Sequence, residues 1–219
     1  MLLVAAATDN EIKPLRQFIS SLENLAVLVT GMGPAAAAAK LSNYLTLYGS
    51  KVSGVINIGI GGAYIGSGLG LLDICIARQE VFGDFGICMQ DGIHDFGPGL
   101  SQLNEPYELN NKLIAISGNL LKAKGFDFRV ANFVTVNCCS GTRKRGDYLK
   151  EKFSAGCENM EGAAVVMVCE TFNIPCLEMR CISNMVEDRN TENWKLEDAI
   201  GEISRAAEAI LQDIAAELQ

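Results

Sequence analysis

The sequence is poor in histidine, and its cysteines lack the spacing of a metal centre. It contains a single histidine, His94, and none of its eight cysteines form a pair with CxxC spacing. Structural and catalytic zinc sites use clustered cysteine and histidine ligands, so this pattern argues against a zinc site. Scattered cysteines are typical of reduced thiols in the core of a cytoplasmic protein. We therefore expect no metal, no cofactor and a cytoplasmic location.

Long apolar runs and basic stretches are also missing. No segment approaches eighteen consecutive apolar residues, the length that a membrane-spanning helix needs. The apolar start MLLVAAAT lacks a positive leader and is too short for a signal peptide. The formal net charge is -8, and the longest basic stretch is TRKR at 142–145. Phosphate backbones and anionic lipids attract clustered lysine and arginine, so we expect neither a nucleic acid nor a membrane partner.

The chain has no segment that resembles a linker. It has only 5 prolines, no serine-rich, proline-rich or charged run, and no internal repeat. A chain of 219 residues that is 49% hydrophobic can form one continuous core. We predict a single domain that spans residues 1–219.

Apolar segments of strand length alternate with helical segments. Strands are predicted at 2–7, 25–30, 54–59, 73–82, 128–137 and 175–183. Helices are predicted at 9–19 with Asp9 as the cap, from Pro34, at 107–123, at 144–151, within 158–170, and at the C-terminus, where apolar residues recur on one face from Ile200 to Leu218. This alternation predicts a three-layer αβα sandwich around a mostly parallel or mixed sheet.

Two glycine-rich segments follow predicted strands. GMGPAA at 31–36 fits G-x-G-x-x-A between a strand and a helix, which is the context of a dinucleotide-binding turn. It follows the second strand, and no acid for a ribose stands about twenty residues later. A tight turn, or a place where backbone amides meet a small ligand, stay open as alternatives. The second segment, NIGIGGAYIGSGLG at 57–70, includes Gly61 and Gly62 after the third strand, where α/β folds place ligands.

Polar side chains stand where several predicted strands end or the adjacent helices begin. They are Glu11, Thr142, Glu161, Ser183 and Asn184. Glu161 is the most unusual, because it stands in the first turn of an apolar helix, and a charged carboxylate buried without a partner costs several kcal/mol. Each residue alone also fits an ordinary role in a helical turn or loop. Together with the glycine segments they predict a polar pocket.

Several stretches resemble the purine nucleoside phosphorylase and nucleosidase family. They are VAAATDNEI, VTGMGPAAAAAK, VINIGIGGAY, ENMEGAAVVMVC and MRCISNMVEDRNTENW, which span residues 4 to 194 in the order of the family. NMEGAAV and RCISN are the specific ones. The resemblance implies a sandwich of the nucleoside phosphorylase/hydrolase type with a central mixed sheet, and a small-molecule purine nucleoside and water as substrates. It also implies a homodimer, to which Phe85, Phe96 and Leu100 in the loop-like segment 83–106 would contribute.

The resemblance also assigns roles to residues. Glu11 would be the general base for the attacking water, and Glu161 would accept hydrogen bonds from the ribose hydroxyls. Met160 would line the apolar face of the sugar, and the turn at Thr142 and Arg143 would meet the base. A carboxylate at Glu11 would repel phosphate, and neither glycine segment contains an arginine to bind that anion. Hydrolysis is therefore favoured over phosphorolysis.

Asn184 departs from the adenine-specific members of the family, which carry aspartate after I-S. A 6-oxopurine such as hypoxanthine presents two acceptors, N7 and O6, and one carboxamide has two N–H donors. Because an amide can also accept from an amino group, an adenine-type nucleosidase stays open, as do a nucleoside phosphorylase and a non-catalytic nucleoside- or NAD-binding protein. Candidates for binding an anionic distal group of the nucleoside are Arg189, Arg143 and His94.

Overall fold

Buried strands and amphipathic helices alternate along the chain. The structure is a computed structural model that describes residues 1–90, 92–97, 103 and 105–218. Its strands are β1 (Leu2–Ala6), β2 (Leu25–Val29), β3 (Gly54–Tyr64), β4 (Ile74–Phe82), β5 (Ile87–Met89), β6 (Gly92–His94), β7 (Tyr107–Glu108), β8 (Arg129–Thr135), β9 (Cys157–Asn159) and β10 (Cys176–Val186). Its α-helices are α1 (Asp9–Ile12), α2 (Arg16–Ser20), α3 (Pro34–Tyr48), α4 (Asn111–Ala123), α5 (Arg143–Phe153), α6 (Gly162–Thr171) and α7 (Leu196–Glu217).

The strands form a mixed sheet that curls back on itself. β2, β1, β3 and β10 run parallel to one another, whereas β10 pairs antiparallel with β4 on its other side. β4 pairs parallel with β8, and β8 with β9. β9 then pairs antiparallel with the far end of β3, which joins the two ends of the curved part. The mixed central sheet confirms the predicted fold class.

Helices cover both faces of the sheet. Alternate side chains of a buried strand point to opposite faces, so Val4 and Leu3 of β1 belong to different apolar clusters. One cluster joins the sheet to α7, whose Ile203 and Ile210 are fully buried as the C-terminal periodicity predicts. The other joins it to α3 and α6. None of the described helices combines the length and the apolar composition that a bilayer crossing requires.

The third strand does not end at residue 59, so the predicted position of Gly61 and Gly62 after it is wrong. β3 continues through Gly59, Gly61 and Gly62 to Tyr64. Glycine is a poor strand residue, and within strands it marks places where other atoms come very close. A β-carbon at Gly59 would stand 2.6 Å from Oε1 of Glu11. The glycines therefore leave room for side chains that approach the strand.

Two predictions about where a strand ends and a helix begins are also wrong. β10 continues to Val186, so Ser183 and Asn184 lie inside the strand, at a register shift between Ile182 and Asn184. Such an irregularity redirects side chains and is frequent beside active sites. Thr8, rather than Asp9, caps α1, because its hydroxyl accepts the N–H of Glu11. Within the predicted loop at 83–106, β5 and β6 form a short antiparallel hairpin, and Leu100 lies outside the described residues.

Candidate active site

A cavity of about 760 Å³ opens where several strands of the sheet end. This volume falls in the usual range for small-molecule sites. Eight of the residues singled out from the sequence line it: Glu11, Gly61, Gly62, Met160, Glu161, Ser183, Asn184 and Arg189. Within the described ranges, histidine, cysteine and acidic side chains form no group of three that could hold a metal ion. The predicted polar pocket is therefore present as a geometric feature.

Three of the predicted residues lie elsewhere. Thr142 caps α5 by accepting the N–H of Arg145, and it is exposed. Arg143, at the start of the same helix, pairs with Asp147 at 3.4 Å. His94 belongs to the β5–β6 hairpin. None of the three is part of the cavity wall.

The carboxylate of Glu11 is held at the end of β1 by backbone and side-chain donors. Its Oε2 accepts from the backbone N–H and from the hydroxyl of Thr8, both at 2.9 Å, and its Oε1 accepts from the N–H of Ile60 at 3.2 Å. The side chain is buried, yet it lines the cavity. A carboxylate accepts about four hydrogen bonds, so Glu11 retains capacity for a ligand hydroxyl or a water.

Glu161 is the N-cap residue of α6, but its side chain makes no capping hydrogen bond to the helix. Its Oε1 accepts the N–H of Gly33 at 2.9 Å, and its Oε2 lies 3.7 Å from Nη2 of Arg180. Burial raises the pKa of Glu161 above its ordinary value, while Arg180 and the Gly33 amide oppose that rise. These two partners explain how a carboxylate tolerates this apolar surrounding.

The turn GMGPAA serves as the backbone support of this carboxylate. Gly31 and Gly33 both have φ of +88°, a conformation that favours glycine. The turn directs the N–H of Gly33 to Glu161 and places Met32 in the cavity wall. Of the interpretations that the sequence left open, the geometry fits the tight turn, and its Gly33 amide donates to a carboxylate of the protein itself.

Arg180 is an important residue that sequence reasoning missed. It lies on β10 with its side chain only 1% exposed, and its Nε donates to Oε1 of Glu178 at 2.9 Å. Burial alone would lower the pKa of Arg180, but Glu178 and Glu161 raise it, so the guanidinium stays charged. The signal in the sequence was a pair of opposite charges, two residues apart, inside the apolar strand CLEMRCIS.

Two further carboxylates lie under the site, on either side of Gly162. A β-carbon at Gly162 would collide with the carboxylate oxygens of both Glu80 and Glu178. Burial and the negative charge of Glu178 raise the pKa of Glu80 well above its ordinary value, although hydrogen bonds from Thr135 and Asn159 oppose the rise. Oε2 of Glu178 is buried and has no hydrogen-bond partner among the described residues. The raised pKa favours the protonated form of Glu80, whose carboxyl group lies near this oxygen at Gly162.

We expect Glu80→Gln to flatten the pH dependence of stability. The folded protein holds a proton on Glu80 at pH values where the unfolded chain has lost it, so folding takes up a proton. Wild-type stability should fall as pH rises from the ordinary value of 4.5 towards the raised pKa, by about 1.4 kcal/mol per pH unit at most. Urea unfolding at pH 5 and pH 8 measures this loss. Glu208→Gln, on the exposed face of α7, is the control, and an equal loss in Glu80→Gln and wild type would contradict the assignment.

Asn184 presents its amide to the cavity with a defined orientation. Its Oδ1 lies 2.9 Å from the hydroxyl of Ser183, which can donate to it or to the carbonyl of Gly61 at 3.2 Å. Its Nδ2 donates to the carbonyl of Met185 at 3.3 Å, a long bond, and has a second N–H for a ligand. Ser183 thus favours the orientation in which the nitrogen of Asn184 faces a ligand.

Glu158 is the second residue that sequence reasoning missed. It lies on β9, is 6% exposed and lines the cavity. Its carboxylate accepts hydrogen bonds from the amide and the hydroxyl of Ser140, at 2.7 and 2.6 Å, and from the hydroxyl of Tyr64 at 3.2 Å. The signal in the sequence was a second acid three residues before Glu161 in a segment that is otherwise uncharged.

Arg189 and Trp194 form another part of the cavity wall. The guanidinium carbon of Arg189 lies 4.9 Å from the centre of the Trp194 ring, a cation–π contact. Both residues line the cavity, and both are partly or fully accessible to solvent. This pair provides a positive charge and an aromatic surface for a ligand.

The comparison with known proteins agrees with the resemblance in the sequence. The family model described as "Phosphorylase superfamily" matches residues 9–218. Futalosine hydrolase from Thermus thermophilus is 29% identical over 188 residues, which are 85% of this chain and 80% of that protein. A 5′-methylthioadenosine/S-adenosylhomocysteine nucleosidase from Shewanella oneidensis is 28% identical over 195 residues, 83% of this chain and 78% of that one.

A solved structure shares the fold. The structure of a futalosine hydrolase mutant of Helicobacter pylori strain 26695 superposes with a TM-score of 0.84 and 19% identity. The match covers 97% of this chain and 98% of that one. At 19% identity, the superposition shows that the two proteins share a fold.

Proposed function

Because the chain belongs to the phosphorylase superfamily, we propose that it hydrolyses the N-glycosidic bond of futalosine. The products would be hypoxanthine and dehypoxanthine futalosine, and the reaction would serve menaquinone biosynthesis. The chain is an N-glycosyl hydrolase with nucleosidase activity, and the proposal adds its substrate. The single observation that carries it is the amide of Asn184, turned by Ser183 to offer N–H to the base.

The cavity contains the groups that such a hydrolysis needs. A water bound to Glu11 attacks the anomeric carbon, and its proton passes to the carboxylate as the bond to the purine nitrogen breaks. Glu161 accepts hydrogen bonds from the ribose hydroxyls, and these bonds strengthen as the sugar becomes cationic. Asn184 stabilises the negative charge of the departing base until the base takes up a proton. Met160 contacts the sugar.

A second candidate function is an adenine-type nucleosidase. It would act on methylthioadenosine, S-adenosylhomocysteine or aminodeoxyfutalosine. The observation in its favour is that nucleosidases of this type are about as similar to the chain as futalosine hydrolases are. An amide turned over at Asn184 would donate to N7 and accept from an amino group. The bond from Ser183 to Oδ1 opposes that orientation.

The direct test is a comparison of substrates. The protein is incubated with futalosine, aminodeoxyfutalosine, methylthioadenosine and inosine, with and without phosphate, and the released base is quantified. We expect hypoxanthine from futalosine at a rate that phosphate does not change. Faster release of adenine from an amino substrate would favour the second candidate, and a requirement for phosphate would indicate a phosphorylase.

We expect Asn184→Asp to shift the preference towards the amino substrate. An ionised carboxylate repels both N7 and O6, whereas Asn184 offers them the N–H that it does not donate to Met185. The kcat/KM for futalosine should fall by about 2–4 kcal/mol in transition-state terms, the scale of one lost electrostatic donor. The kcat/KM for aminodeoxyfutalosine should fall less or rise, since a protonated acid suits N7 together with an amino group. The measurement is the ratio of the two kcat/KM values, and an unchanged ratio would mean that Asn184 does not read position 6.

Of the three candidates for binding the distal group, only one lines the cavity. We propose Arg189, stacked on Trp194, as the partner of the distal carboxylate of futalosine. Arg143 and His94, the other candidates, are outside the cavity wall. The contact of Thr142 with the base stays a prediction.

We also propose a homodimer. Phe85 and Phe96 pack edge to face with ring centres 5.4 Å apart, and Phe96 is still 40% exposed. Ile87 and Met89 of the adjacent hairpin are 45% and 57% exposed. Exposed apolar side chains grouped in this way are typical of surfaces that pack on another chain.

A further inference from the structure

We propose that Glu158 reads the N1–H of a 6-oxopurine and thereby makes the site selective for oxo over amino bases. This inference rests on the proposed function, because it concerns the base that the same cavity receives. Glu158 would contact the base directly, a role that the hydrolysis described above does not give it.

The sheet register places Glu158 and Asn184 on either side of one glycine. In β3, Gly62 pairs with Glu158 of β9 on one side and with Asn184 of β10 on the other. Directly paired residues point to the same face of a sheet, so both side chains lie on the face of Gly62. A β-carbon at Gly62 would stand 2.9 Å from Cγ2 of Val186 and 3.1 Å from Nδ2 of Asn184. The missing side chain therefore lets these two side chains approach the strand, and Glu158, Asn184 and Val186 all line the cavity. A base in this part of the cavity meets an amide on the β10 side and a carboxylate on the β9 side.

The hydrogen bonds of Glu158 determine what this part of the wall offers a ligand. The amide and hydroxyl protons of Ser140 and the hydroxyl proton of Tyr64 are all donated to the carboxylate. Ser140 also lines the cavity, so the donors that could have faced a base there are already used. An ionised carboxylate only accepts, and three bonds leave about one of its four acceptor positions open. The wall at Glu158 therefore offers an acceptor and negative charge.

That chemistry distinguishes the two classes of purine. In a 6-oxopurine, N1 carries a hydrogen and stands next to C6, on the edge that continues from N7 and O6. In a 6-aminopurine, N1 carries a lone pair instead. A carboxylate binds the first through a charge-assisted hydrogen bond and repels the second. A binding site discriminates strongly against a ligand that leaves a buried polar group of the site unpaired.

The test measures the binding of free bases, and the change that Glu158→Gln makes in the ratio of hypoxanthine to purine binding isolates N1 from position 6. Hypoxanthine has the N1 hydrogen, whereas unsubstituted purine has a lone pair at N1 and no group at C6. By calorimetry, wild type should bind hypoxanthine about tenfold or more tightly than purine. Glu158→Gln should narrow that ratio by about tenfold, with weaker hypoxanthine binding and stronger purine binding, because the glutamine amide can donate to N1. Glu151→Gln, an equal change on the exposed side of α5, should leave the ratio as in wild type.

A measurement on wild type alone keeps the test independent of how the variant folds. In 1-methylhypoxanthine a methyl group replaces the N1 hydrogen, and we expect it to bind about tenfold or more weakly than hypoxanthine. Equal binding of these two bases would overturn the inference, and so would equal weakening of hypoxanthine and purine by Glu158→Gln. If wild type binds adenine more tightly than hypoxanthine, the proposed function fails and this inference fails with it. If hypoxanthine is preferred but Glu158→Gln leaves the ratio unchanged, only the role of Glu158 is wrong.

Discussion

Replacing Glu11 by glutamine is expected to lower turnover about a hundredfold or more while binding of the nucleoside stays largely intact, the scale of a lost general base. Glutamine keeps the shape of the side chain and, at the third position of α1, still fits the capping box with Thr8. The helix start should therefore persist. The amide cannot take the proton of an attacking water, so the loss should appear in kcat.

The measurements for Glu11→Gln are kcat and the dissociation constant of a substrate that is bound but not turned over. Glu23→Gln is the matched control, because Glu23 is exposed and remote from the cavity wall. An unchanged kcat would remove Glu11 from the mechanism. Weaker binding with the same kcat would instead make Glu11 a contact for the ground state of the substrate.

The largest effect on stability is expected from Arg180→Met. The guanidinium is fully buried between Glu178 and Glu161, and its removal leaves two buried carboxylates without a cation. Breaking a buried pair by removing one partner costs about 3–5 kcal/mol. Because Arg180 also restrains the pKa of Glu161, the variant should lose kcat/KM at a higher pH than wild type as pH is lowered.

Urea unfolding and a pH profile of kcat/KM measure these two effects of Arg180→Met. Arg205→Met is the control, because Arg205 forms an exposed pair with Glu202 on α7, and such pairs contribute about 1 kcal/mol or less. If the two variants lose the same free energy of unfolding, the ion pairs of Arg180 do not stabilise the protein more than an exposed pair does.

The sequence predicted those parts of the fold that depend on local apolar patterns. The strand at β1 follows from a continuous apolar run, and the stripe of Ile203, Ala207 and Ile210 on α7 follows from helical periodicity; both are confirmed. The end of β3 was predicted wrongly, because Gly59 and Gly61 weaken a strand locally and are required there only by side chains that approach from distant segments. Local pattern alone contains no information about that approach.

The candidate site was predicted unevenly for a similar reason. Glu161 was recognisable because a charge stood at the start of an apolar helix, and it lines the cavity. Arg180 and Glu158 each satisfy a partner far away in the sequence, Glu161 and Tyr64 respectively. Their importance follows from the pairing of β10 and β9 with β3, which is a property of the folded sheet.

The double pairing of β10 with β3 and β4 determines when this protein can complete its fold on the ribosome. β3 is synthesised early, but its long parallel partner β10 is one of the last elements of the chain. Until β10 emerges, the apolar edge of β3 stays unpaired, and open edges of this kind invite association with other chains. Parallel pairing between distant segments also closes slowly. Truncated nascent chains that end before residue 176 should therefore depend on chaperones for solubility.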